Sequence, residues 1–274
     1  MISVIVSIYK SLDKLDLILS GLQTQSFKDF ELIVAEDNQD PSTKIFIQNA
    51  RKWVCFPILH VCQADQGFRK NKILNQALLQ CHGECVVFID GDCIPHKHWL
   101  RAYNKVMQKD RKISKEGLLS HSYFYTGRRV ELSKSLTDKI LQTKNLKLLH
   151  ISNLLYHRCK FIKRALYLPF WREHKTNKRG VFGCNMGGFK SDLLAVNGFD
   201  EDYQWPTVGE DSDLEWRLRA QGVQIRTVFS NCIVYHLDHK IIHASNNPEQ
   251  ILSRQLYAEK VKQKDWYCKN GIYK

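Results

Sequence analysis

The chain begins with Ile2-Ser3-Val4-Ile5-Val6-Ser7-Ile8-Tyr9, a β-branched apolar run of strand length. Over positions 12–22 the pattern switches to helical spacing, with Leu12, Leu15, Ile18, Leu19 and Leu22 on one stripe. The alternation then repeats. Strands are predicted over 31–35, 57–62 and 85–89, and helices over 43–53 and 71–80. Strands alternating with helices predict an α/β fold with a mainly parallel sheet and right-handed crossovers. Ligands of such sheets sit at the carboxyl ends of the strands. Tyr9, Glu36-Asp37 and Asp90-Gly91-Asp92 all fall at those ends.

Beyond Asp92 the pattern is less regular. It predicts a helix over 99–109, a strand over 117–122 and a basic, apolar-interrupted helical insert over 134–172. A short strand over 183–190 and a helix over 210–221 follow, the latter stopped by Gly222. The segment 224–235 contains a strand, and 248–264 forms a last helix. No repeat or low-complexity linker divides the chain. The organisation expected is one compact unit over 1–244, with a break near 115/116 between its halves, and a helical extension over 245–274.

Composition narrows the class. The 274 residues are 43% hydrophobic, enough for an ordered core. No apolar run reaches the length of a membrane span, and the apolar start reads as a buried strand, not a signal peptide. The nine cysteines include no CxxC pair, which points to free thiols and a cytoplasmic setting. The net charge of +13 implies an anionic partner, with nucleic acid, anionic lipid and acidic glycan all open.

Several clusters could carry chemistry. Asp90-Gly91-Asp92 offers two carboxylates from a tight turn, suited to Mg²⁺ or Mn²⁺ bridging a diphosphate. Asp-Gly is also an ordinary turn, and its place after a buried strand gives it weight. Glu36-Asp37 could accept from a nucleobase or ribose, or cap the next helix. Arg69, Lys70 and Lys72 open a helix where a diphosphate could be neutralised, or form a solvated face. Trp205 precedes Gly209-Glu210-Asp211 and Asp213 at a helix start. One of these carboxylates could act as general base on an acceptor hydroxyl, while acidic residues in a first turn are also ordinary dipole partners. His236 and His239 follow the late strand and could complete a metal site, or be structural.

The ordered series of motifs resembles the inverting GT-A-fold glycosyltransferases of family 2, with a galactosyltransferase-like C-terminal half. The resemblance runs from Ile2 to His239. It implies a Rossmann-like, mixed but mainly parallel sheet flanked by helices. A nucleotide-sugar half would span 1–115 and an acceptor half 116–244. Cofactor contacts would come from Tyr9, Glu36, Asp37, Arg69, Lys72, Asp90 and Gly91. Asp92, Asp90, His236 and His239 would hold Mn²⁺ or Mg²⁺. Asp211 would be the base and Glu210 would hold the acceptor, with Trp205, Gly209 and Asn185 also on the acceptor side. The implied donor is a UDP-sugar. The implied acceptor is a hydroxyl of a glycan or glycolipid, in bacterial lipopolysaccharide or capsule synthesis. Two departures stand out: Glu36 replaces the family's first aspartate, and no glycine run precedes Glu210-Asp211.

Between Asp138 and Glu173 there is no acidic residue, and over 138–171 seven Lys and Arg interleave with apolar and aromatic ones. Such a segment can lie on an anionic membrane, which would make the protein peripheral on the inner face of the plasma membrane. Two rival classes remain. A nucleotidyltransferase making nucleotide-sugars would open with a glycine-rich phosphate loop, and Tyr9-Lys10-Ser11-Leu12-Asp13 has no glycine. A basic nucleic-acid-binding protein would leave Asp90, Asp92, Glu210 and Asp211 without a role.

Overall fold

The structure is a computed structural model that describes residues 1–115, 122–168, 174–175, 180–205, 210–228, 231–239 and 248–274. The N-terminal half follows the periodicity closely. Strands β1 (Ile2–Ile8), β2 (Phe30–Glu36), β3 (Ile58–Cys62) and β4 (Cys85–Asp90) alternate with helices α1 (Leu12–Gln23), α2 (Pro41–Ala50) and α3 (Lys70–Leu79). β1 and β2 are buried along their whole length apart from Ser7, as strands covered on both faces must be. α1 turns Leu15, Ile18, Leu19 and Leu22 into the core. Asp40 caps α2 by accepting from the Ser42 N–H at 2.8 Å, with Pro41 at the first helical position.

The second half adds short strands that periodicity did not resolve. β5 (Cys93–Pro95) precedes α4 (Trp99–Lys115), and β6 (Tyr123–Thr126) and β7 (Arg128–Glu131) follow it. Most of the strand expected over 117–122 lies outside the described residues. Helices α5 (Lys134–Thr143) and α6 (Ile151–Tyr156) come next, then β8 (His174–Lys175), β9 (Asn185–Phe189), α7 (Lys190–Ala195) and α8 (Glu210–Ala220). The segment expected to hold one strand holds two, β10 (Gln224–Thr227) and β11 (Ile233–His236), and they join different sheets. α9 (Pro248–Gln263) is the last helix. Gly222, at φ +83°, supplies the left-handed residue after α8.

The main sheet has the order β3-β2-β1-β4-β9-β6-β10-β8, and a small second sheet has the order β5-β11-β7. β1 to β4 are parallel, while β9 runs antiparallel between β4 and β6. The architecture is therefore α/β and mixed, with two apolar layers on the faces of the main sheet.

The insert is not one helix. Left-handed residues at Lys144 (φ +54°) and Phe161 (φ +57°) break it into α5, α6 and two single 3₁₀ turns. These pieces fold onto the second sheet, and Leu136, Ile140 and Leu154 pack against Ile94, Val130 and Ile233. Leu155, Tyr156, Phe161, Leu166 and Leu168 are left facing solvent. Phe170 and Trp171 lie outside the described residues. Among the described residues no helix is long and apolar enough to cross a membrane. All nine cysteines are free thiols.

α9 and the tail after it pack on the segment that follows α7. Lys260 pairs with Asp200 and Asp202, and Asn197 donates to the Cys268 and Tyr273 carbonyls at 2.6 and 2.9 Å.

Candidate active site

The carboxyl ends of β1 and β4 open into a cleft of about 600 Å³. Register places Ser7 beside Asp90, whose Oδ1 accepts from the Ser7 hydroxyl at 3.3 Å. Asp90-Gly91-Asp92 forms the floor. A Cβ on Gly91 would stand 2.6 Å from the Ser7 carbonyl oxygen, so this close crossing of β1 excludes a side chain.

The small sheet explains how distant histidines reach Asp92. β11 pairs antiparallel with β5, setting His236 opposite Cys93, and the Leu237 N–H donates to the Asp92 carbonyl at 2.9 Å. Asp92 Oδ2 then lies 3.1 Å from His239 Nε2 and 3.5 Å from His236 Nε2. Burial works against ionising Asp92, but the hydrogen bond from His239 and the charges of both histidines outweigh it. The carboxyl is held well below its ordinary value. Burial also lowers the His236 pKa, which favours the neutral, ligating imidazole. The buried Cys93 thiol stands beside this group, 3.4 Å from Asp92 Oδ1.

The opposite wall is the N-terminus of α8. Asp211 Oδ2 accepts from the Gly183 N–H at 3.2 Å, and its Oδ1 from the Ser212 N–H at 2.8 Å. Glu210 Oε1 meets Lys70 Nζ at 2.7 Å, and Lys70 also reaches Asp90 Oδ1 at 2.7 Å. Lys70 thus bridges the two acidic walls. Burial opposes its charge, but Asp90 and Glu210 hold the ammonium well above its ordinary value. Burial, with the charges of Asp90 and Asp211, raises the Glu210 carboxyl, and Lys70 limits that rise.

Other expected residues are placed less simply. Tyr9 lines the cleft mouth, half exposed, and its hydroxyl donates to Asp65 at 3.2 Å. Asp37 also lines it, but accepts from Gln63 at 2.5 Å and from the Arg69 N–H at 2.8 Å; burial raises its pKa. Glu36, its neighbour, points elsewhere: strand alternation turns it away, against His60 and the Asp40 N–H. Arg69 and Lys72 line a separate pocket of about 180 Å³ with Tyr203 and Lys274, so Lys70 alone of the three basic residues enters the cleft.

Asn185, expected on the acceptor side, does not line the cleft. It is fully buried, accepts from Trp99 and Tyr103 at 2.9 Å each, and donates to the Arg128 and Cys232 carbonyls. Its four bonds tie β9, α4 and the segments beside β7 and β11, a structural task. Trp205 is half-buried and does not line the cleft. Gly209 lies outside the described residues. Asp213 is buried and paired with Arg217 at 2.7 Å.

Arg129 was not foreseen. It lines the cleft from β7, and no sequence signal separates it from the basic residues around it. Lys70 sat within a recognised run, but which member points inward depends on the helix phase.

A mixed α/β sheet with acidic groups and histidines gathered at its strand ends is the arrangement of the GT-A fold. Solved structures agree on the fold. TarS of S. aureus superposes with a TM-score of 0.60 at 17% identity, covering 95% of this chain and 39% of that one. The mannosyltransferase PcManGT from Pyrobaculum calidifontis, solved with GDP-Man and Mn²⁺, gives 0.59 at 14% identity, covering 96% and 64%. The chain belongs to glycosyl transferase family 2, whose model matches residues 3–167; residues 169–240 match the model named N-terminal domain of galactosyltransferase. One relative is a GalNAc(5)-diNAcBac-PP-undecaprenol beta-1,3-glucosyltransferase of Campylobacter jejuni. It is 32% identical over 149 residues, which cover 50% of this chain and 46% of the relative. The glycosyltransferase AglE of Haloferax volcanii is 26% identical over 102 residues, or 36% and 33% of the two chains. The matches thus span less than half the length of these curated relatives. Neither the nucleotidyltransferase nor the nucleic-acid-binding reading finds support among these matches.

Proposed function

We propose that the protein transfers a sugar from a nucleotide-sugar, a UDP-sugar by preference, to a hydroxyl of a lipid-linked glycan with inversion. The observation that carries this reading is the convergence, in one cleft, of Asp211 on one wall and the Asp92–His236–His239 group on the other. Asp211 keeps lone pairs on both carboxylate oxygens after accepting from Gly183 and Ser212, so it can take the acceptor proton. As the proton leaves, the acceptor oxygen attacks the anomeric carbon and the bond to the diphosphate breaks; a single displacement inverts the centre. Lys14, Lys70 and Arg129 line the cleft, and of these Lys70 and Arg129 would offset charge on the departing diphosphate.

Two imidazoles, each within 3.5 Å of the Asp92 carboxylate, would suit Mn²⁺ or Mg²⁺, with manganese favoured by the nitrogen donors. Asp92, His236 and His239 would hold the ion, which supplies positive charge toward the diphosphate when bound. The donor proposal is supported by TarS structures solved with UDP and with UDP-GlcNAc. Thermal melting of the purified chain with nucleotide-sugars tests it. The correct donor at 100 times its Kd should stabilise by about 2.7 kcal/mol. The shift should shrink sharply without Mn²⁺ and in the His236→Ala/His239→Ala double variant. A cation-independent response to every nucleotide-sugar would remove the metal from this reading.

The insert supports a lipid-linked acceptor. Tyr156, Leu155 and Phe161 are 82%, 60% and 48% exposed, beside Arg158, Lys160, Lys163 and Arg164. Arg164 Nη1 donates to the carbonyl of Arg129, so this strip adjoins the cleft wall. Apolar groups flanked by cations match an anionic bilayer surface. The chain should float with anionic vesicles at low salt and lose most of that binding in Tyr156→Ser/Phe161→Ser. Equal recovery with neutral and anionic vesicles, or none with either, would count against the strip.

A further inference from the structure

Across β2 from the cleft lies a second group of ligand-type side chains that transfer does not use. Parallel register sets Glu36 opposite Cys62, and His60, two residues earlier on β3, projects from the same face. The carboxylate, imidazole and thiol donor atoms all lie within 4.8 Å of one another. Glu36 Oε2 is 2.7 Å from His60 Nε2, and Glu36 is fully buried. Its other oxygen, Oε1, accepts from the Asp40 N–H at 2.9 Å, which fixes the carboxylate plane and leaves Oε2 toward His60. The group opens on a solvent-accessible pocket of about 550 Å³, separate from the cleft.

We propose that Glu36, His60 and Cys62 form a second divalent-cation site, of zinc(II) type, that cross-links the carboxyl ends of β2 and β3. The donor set carries the choice of ion. One sulfur, one nitrogen and one oxygen suit a borderline cation, whereas Mg²⁺ and Ca²⁺ take oxygen ligands. Three protein ligands on a pocket wall leave a fourth position for water. The Asp40 N–H plays the orienting part that outer hydrogen bonds play at metal ligands. Binding releases the Cys62 thiol proton to solvent, while the His60 ring places its remaining proton on Nδ1, leaving Nε2 free to ligate. The nearby Lys44 and Arg51 offset the charge of the two anionic ligands. The site would also act on the cleft. Gln63, the residue after Cys62, donates to Asp37 on the cleft wall, so tying β2 to β3 steadies that contact.

The inference does not depend on the transfer reading, and its test does not use activity. Cobalt(II), added to the metal-free full chain, gives a thiolate-to-metal charge-transfer band when a cysteine ligates it. The band should saturate and be displaced by zinc, reaching saturation at about one equivalent in His236→Ala, where the cleft group no longer competes for cobalt. It should persist in His236→Ala, which disables the group in the cleft, vanish in Cys62→Ser, and need at least about 10-fold more cobalt in His60→Gln. A band that survives Cys62→Ser, or that disappears with His236→Ala, would place the thiolate at Cys93 and overturn the proposal; so would no band in the wild type. Wild-type alkylation provides a check free of variants that fail to fold. Zinc should slow labelling of Cys62 while leaving the exposed Cys55 unchanged. Equal labelling of Cys62 with and without zinc would also overturn the site.

Discussion

Replacing Asp211 by asparagine is expected to lower transfer by about 10²- to 10⁴-fold, the range a general base contributes, with donor affinity unchanged. The amide has nearly the shape of the carboxylate. It can still accept from the Ser212 N–H, the shorter of the two contacts, and at worst leaves the Gly183 N–H at 3.2 Å without its acceptor. The stability cost is therefore about 1 kcal/mol, and the fold persists. What the variant cannot do is take a proton. The groups proposed to hold the donor lie across the cleft, at Asp92 and its histidines, so the melting shift with the nucleotide-sugar should match wild type. The loss falls on kcat, because the proton moves only in the transition state. Turnover within about 10-fold of wild type would remove Asp211 from the base role and direct attention to Glu210.

The strand ends that carry this chemistry were legible because β1 to β4 and their helices are local units, each written in one stretch of sequence with its own period. Pairing between distant segments is not written that way. β9 inserts antiparallel between β4 and β6 through Asn185-Met-Gly-Gly-Phe189, a run without alternation, and β5 and β7 are too short for a period to show. The same divide runs through the site. Asp90, Asp92, Asp211 and His236 stand at element ends, where a side chain beside an apolar run is conspicuous. Asn185 stands in a similar motif, yet its amide is consumed by four buried partners. Only the packed neighbours Trp99, Tyr103 and the two carbonyls reveal that. For Glu36 the signal existed: side chains alternate along a strand, so Glu36, the last residue of β2, faces away from the side that Asp37 takes just beyond the strand end.

The histidine pair shows why an acidic strand end gains its partner so late in the chain. β11 is built from the same stretch that completes β10, but it leaves the main sheet and joins β5, the three-residue strand that follows Asp92 directly. Pairing His236 with Cys93 fixes the imidazole one step from Asp92. The small sheet exists between an insert that buries one of its faces and a cleft that uses its edge. Fold and site are coupled there by backbone register, which a side-chain substitution at the insert surface leaves untouched.

Arg217→Met should be the most destabilising of the substitutions considered, by about 3–5 kcal/mol, the cost of breaking a buried ion pair from one side. Arg217 is fully buried. It bonds Asp213 Oδ2 at 2.7 Å and the Val196 and Gly198 carbonyls at 2.7 and 2.8 Å. Methionine fills part of the volume but leaves all three acceptors without these bonds. The dependence on pH identifies the cause. Burial already raises the Asp213 carboxyl, and the Arg217 charge restrains that rise; without Arg217 the folded-state pKa climbs further above the unfolded value. A carboxyl so raised favours the folded state only where it is protonated, and that contribution is lost as pH rises through the folded-state value. The deficit of the variant should therefore be greatest at neutral pH and shrink as pH falls toward the ordinary carboxylate range. Urea unfolding of both proteins across that range measures it. A deficit independent of pH would mean that lost packing, not the stranded charge of Asp213, sets the cost. Because α8 carries Glu210 and Asp211 within one turn of Asp213, the anchor that Arg217 makes to the Val196–Gly198 turn also holds the proposed base against the cleft.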